Sequence, residues 1–126
     1  MLNIKQDIYA AIAELSVPVK DNPNGGEKSK PIYGILRTIN SVSTAYKNYS
    51  KVNWLLRLDV FSTYKGEKEI LDYYNDEVIP ALYAYRDSKA EVTYITPTCD
   101  IMDDDEQGPI MKHGVITIAV DTMEVE

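Results

Sequence analysis

A chain of 126 residues, 44% hydrophobic and 26% charged, is the size and balance of one globular domain that buries its own core, and it lies outside the range of intrinsic disorder. Thirteen Lys and Arg stand against twenty Asp and Glu for a net charge of −7, and the cations are scattered, so there is no basic patch of the kind that displaces counterions from nucleic-acid phosphates. The single cysteine, Cys99, excludes an intrachain disulfide, and no apolar run builds a signal peptide or reaches the ~20 residues that span a bilayer, so a soluble protein made in a cytoplasm, with no membrane partner, is expected.

The chain opens with a helix. Ile4, Ile8, Ala11, Ile12 and Leu15 recur at helical spacing, Asn3 and Gln6 form a capping-box pattern at its start, and Pro18 ends it. Asp21 to Lys30 (DNPNGGEKSK) reads as a loop, either a plain flexible surface loop or a contact arm that orders only in an assembly; on the second reading, deleting Asn22 to Lys30 should leave the monomer folded and impair assembly. Ile32 to Ile39 has β character, and the polar, Ser- and Tyr-rich stretch Asn40 to Lys51 reads as a long connection. Val52 to Phe61 is the clearest strand. Val52, Trp54, Leu56, Leu58 and Val60 share one face, with Asn53, Arg57 and Asp59 on the other.

A second helix is expected from about Tyr64 to Tyr85, capped by Ser62 or Thr63. Ile70, Tyr74, Val78 and Leu82 are spaced by four along it, and Pro80 should kink or split it. Strands are expected at Glu91 to Thr96 and Val115 to Val120, with the acidic run Asp103, Asp104, Asp105 and Glu106 in the loop from Cys99 to Gly108. The order helix, strand, strand, helix, strand, strand implies one α+β domain over residues 1–126: a mostly antiparallel sheet of about four strands with two main helices on one face.

No catalytic template fits these residues. His113, the sole histidine, sits between Lys112 and Gly114 at a strand entrance and reads as a surface or edge residue. One Cys and one His do not make a zinc site, and the acidic run lacks the alternating ligands and glycine of a calcium loop. No phosphate-cradling glycine motif is present, so no catalytic residue, metal or cofactor is assigned. Ten tyrosines are more than one core buries, and tyrosine suits interfaces because it joins a large contact area to a hydroxyl. The candidate interface or lumen residues are Asn22, Glu27, Lys28 and Lys30 in the first loop, Tyr46 and Tyr49 in the stretch Ser43 to Ser50, and Asp103, Asp104, Asp105 and Glu106.

Taken with the element order, four features carry a resemblance: the N-terminal amphipathic helix ending near Leu15, the segment Leu56-Arg57-Leu58-Asp59-Val60-Phe61-Ser62, the entry Tyr64-Lys65-Gly66-Glu67 into the second helix, and the closing strand introduced by His113-Gly114-Val115-Ile116. Over nearly its whole length the chain resembles the tail terminator proteins of long-tailed bacteriophages, also called tail-to-head joining or tail completion proteins. Pro80 and the acidic loop before Pro109 depart from the family pattern. The resemblance implies a structural virion protein, not an enzyme, located at the head–tail interface and assembled in the host cytoplasm. Six copies would close into a ring that caps the tail tube, ends its elongation and faces the head. The implied partners are further copies of itself, the major tail tube protein and a head completion or connector protein, with DNA passing through the lumen unbound. An acidic total suits such a pore. The alternatives are another head–tail connector or minor tail protein, or a small enzyme or ligand-binding domain.

Overall fold

The computed structural model of the chain describes residues 3–21, 31–104 and 110–125. The first helix, α1, spans Ile4–Ala13; the Asn3 side chain accepts from the Gln6 backbone N–H at 3.1 Å, as its position before the apolar run demands. Ile4, Ile8 and Ile12 are fully buried, each stabilising the fold by about 1.5–3 kcal/mol through removal of apolar surface from water.

Five strands follow: β1 (Val19–Lys20), β2 (Ile32–Ala45), β3 (Tyr49–Ser62), β4 (Val92–Asp103) and β5 (Lys112–Val125). They lie side by side in the order β1-β2-β3-β5-β4, antiparallel except where the two-residue β1 runs parallel to β2. The result is the expected α+β arrangement, with both helical segments packed against one face of the sheet. That face carries Leu36, Leu56, Leu58, Val60, Ile116, Ile118 and Val120, and the helices close over it.

Four strands run beyond their expected limits. Asn40 to Lys51, expected as a connection, is mostly strand: β2 continues to Ala45, β3 begins at Tyr49, and the Tyr46 N–H donates to the Tyr49 carbonyl at 2.8 Å to close the turn. Residues 37–48 are all exposed, so neither face of this arm needs apolar residues and no alternation marks it; backbone pairing to β3 makes the strand. β4 likewise runs through Cys99 to Asp103, and β5 extends past both expected ends.

The second helix begins at Lys68, four residues later than expected, and ends at Ser88: α2 (Lys68–Tyr73), a π turn (Tyr74–Val78) and α3 (Ile79–Ser88). Ser62 and Thr63 do not cap it. The Ser62 hydroxyl accepts from the Tyr64 N–H, and the Thr63 hydroxyl donates to the Pro31 carbonyl. Pro80 neither splits nor ends the helix; it is the second residue of α3, directly after the π turn, where the Ile79 N–H reaches back five residues to the Tyr74 carbonyl. That wider turn accommodates the missing donor and shifts the buried stripe. Tyr73 rather than Tyr74 is buried with Ile70, and the core face runs Ile70, Tyr73, Val78, Leu82, Tyr85. Two polar ties dock the helical segments: Ser16 donates twice to the Glu77 carboxylate (2.8 and 2.6 Å), and the Tyr85 hydroxyl donates to Asp7 at 2.8 Å. Among the described residues no helix is long and apolar enough to cross a membrane.

Candidate functional site

Alternation along a strand puts every second side chain on the face away from the helices. Among the described residues no helix covers that face. The strand register aligns its side chains in rows: Tyr33, Phe61, His113 and Met102; then Ile35, Asp59, Val115 and Asp100; then Arg37, Arg57, Thr117 and Thr98. The first row stacks. Tyr33 and Phe61 rings lie 5.2 Å apart at 28°, and Phe61 and His113 rings 4.5 Å apart at 18°.

Asp59 is the centre of this surface and is only 5% exposed. Its Oδ1 accepts from Arg57 Nε at 2.9 Å and lies 2.8 Å from Arg57 Nη2, while His113 Nε2 sits 2.7 Å away. An ionised carboxylate only accepts, so His113 donates through Nε2. Arg37 Nη2 stands 3.6 Å from Oδ2. Burial pushes the Asp59 carboxyl up, but hydrogen bonds from His113 and Arg57, reinforced by their charge, outweigh it and hold the group below the ordinary carboxylate range. A cleft of about 220 Å³ opens beside it, lined by Ile35, Arg37, Arg57, Asp59, Phe61 and His113. The position expected for His113, at the surface or an edge, is therefore corrected: β5 is an interior strand and the ring is clamped between Phe61 and Asp59.

The residues singled out from sequence are not gathered into one site. Asn22, Glu27, Lys28, Lys30, Asp105 and Glu106 lie outside the described residues. Tyr46 and Tyr49 flank the turn at the arm's tip, their rings stacked 4.6 Å apart with Lys51 over Tyr46. Asp103 ends β4, where it pairs with Lys112 rather than standing in a solvated loop, and the Asp104 N–H donates to the Met111 carbonyl. Asp103 neighbours Lys112, which is opposite Ser62 at the far end of β3 from Tyr49; a strand of 14 residues puts the two groups roughly 40 Å apart.

The cluster around Asp59 was missed because its parts are distant in sequence. Arg57 and Asp59 sit two apart on one strand face, a visible pair, but His113 joins them only through the β3–β5 register. No described group of three or more His, Cys, Asp or Glu side chains gathers to hold a metal ion. Cys99 is half-buried against the core; burial, with Asp100 and Glu67 nearby, pushes its thiol up to about 11, away from nucleophilic reactivity. Compared with known proteins, the chain matches no family model and no curated relative.

Proposed function

We propose that the chain is a structural subunit of a virion: six copies close into a ring that caps the tail tube of a long-tailed bacteriophage, ends its growth and forms the tail side of the head–tail joint. The reading rests on the sequence resemblance, and the observation that best supports it is the projecting β2–β3 arm. A closed ring uses heterologous contacts, so each subunit needs two different surfaces. The arm supplies one. It extends past the core, and its exposed side chains include Ile39 at 50%, Val42 at 51% and Tyr46 at 45%, with Val125 at 81% on the adjoining end of β5. Apolar groups projecting on an arm with no core of their own gain stability when a partner covers them.

In this reading geometry is the output, and the partners are other copies, the tube protein and a head completion protein, with DNA traversing an acidic lumen without being gripped. The test is co-sedimentation with purified tail tubes that lack their terminator. Binding should saturate at a fixed number of copies per tube whatever the tube length, because only the ends are sites. Binding that grows with tube length, or none at all, would sink the reading.

A further inference from the structure

The sheet face that no described helix covers carries two apolar pairs: Ile35 and Val115 flank Asp59, and Leu55 and Ala119 lie side by side beyond the row of Arg37, Arg57 and Thr117. On the half built by β2 and β3, three cations (Arg37, Lys51 and Arg57) stand against one carboxylate, Asp59. Arg57 and His113 already engage that carboxylate, whereas Arg37 is half exposed, stands 3.6 Å from it and lines the 220 Å³ cleft. In a protein of net charge −7 this half is locally positive, and Asp121 on β5 and Asp100 on β4 place the matching carboxylates on the other half of the same face.

The opposite side of the same molecule is its complement. The helical segment Lys68–Ser88 carries five carboxylates (Glu69, Asp72, Asp76, Glu77, Asp87) against two cations, Lys68 and Arg86. Its exposed stripe combines Asp76 with Asp72, which pairs with Lys68, Asp87, which pairs with Arg86, and two side chains of large apolar surface, Leu71 and Tyr83, each 38% exposed, the Tyr83 ring lying under the Arg86 guanidinium.

We propose that the β2–β3 half of the uncovered sheet face receives the acidic helical layer of a second copy of this chain. The inference rests on the ring reading above and deepens it by naming the two surfaces that meet. Because the two surfaces differ, the contact is heterologous and repeats head to tail from copy to copy, and it closes into a ring when each copy is rotated by a fixed fraction of a turn relative to the last. Arg37 faces the neighbour's Asp72 and Asp76, while Leu71 and Tyr83 cover Ile35 and Leu55. Charge fixes the register, and apolar burial provides the affinity.

Charge reversal with mixing tests it. Arg37→Glu alters the sheet face, and Asp72→Lys with Asp76→Lys alters the helical face. Both sets lie on exposed positions, and thermal unfolding checks that each variant is folded. By analytical ultracentrifugation each variant alone should associate about tenfold more weakly than the unaltered protein. An equimolar mixture should regain association, because alternating copies place every reversed surface opposite a matching one. Unaltered association of either variant, or a mixture no better than its parts, overturns the proposal and leaves the ring reading standing. An unaltered protein that stays monomeric at every concentration, with and without tail tubes, removes both.

Discussion

Asp59 is nearly buried on a face of the sheet that no described helix covers, and its charge is kept by hydrogen bonds rather than by water. Its carboxyl titrates below the ordinary value in the folded chain, so its contribution to stability is fully present above the unfolded value near ~4 and disappears as the pH falls through the lower folded value. Asp59→Asn should cost about 1–3 kcal/mol at pH 7 by weakening the bonds to Arg57 and His113, and should flatten the acid limb of stability below about pH 4. Urea unfolding from pH 7 down to the acid transition reads both. Gly114 is tied to its position by space: a Cβ there would meet Ile70 Cγ2 at 2.7 Å, with Ile70 fully buried. Gly114→Ala should therefore destabilise by about 1–3 kcal/mol, with the denaturant m-value unchanged. Gly114 stands in the sequence beside His113, yet nothing local shows why a glycine is needed, because Ile70 approaches it from another element.

At the scale of elements, legibility followed burial. β3 was readable because Leu56, Leu58 and Val60 are buried on one face while Asn53 and Arg57 lie on the other. The arm was not, because residues 37–48 are exposed on both faces and their strand is written in pairing with β3. The second helix was recognisable from its apolar spacing, but a spacing of four placed Tyr74 in the core. The π turn puts Tyr73 there instead, and Tyr73 then brings a buried hydroxyl with no hydrogen-bond partner among the described residues. Burial raises the Tyr73 phenol well above its ordinary value, so it stays neutral. Tyr73→Phe removes that unpaired group and should be neutral or stabilising by up to about 1 kcal/mol, measured by chemical denaturation. The arm calls for a different measurement. Val42→Asp changes a side chain that is half exposed and has no core role, so monomer stability should stay within about 0.5 kcal/mol while self-association and tube attachment weaken.

At the scale of the whole molecule, a helical layer protects one sheet face, while among the described residues the other face and a long arm lie outside the core. The α+β architecture and its two-helix layer could be read from the order of periodic segments. The surfaces could not, since they arise from register: the stacked row Tyr33, Phe61 and His113 comes from three strands, and the Asp59 cluster joins residues as far apart as Arg37 and His113. A molecule with an uncovered sheet face, a projecting arm and an acidic back has separate surfaces for neighbours on different sides, and the proposed ring uses them. Native mass spectrometry over a rising concentration series, with electron microscopy of the same samples, tests this most directly. The account predicts a closed species at six times the 14.3 kDa subunit mass, visible as a ring with a central hole. A lone 14.3 kDa species at every concentration, or an isologous dimer that grows no further, would contradict it.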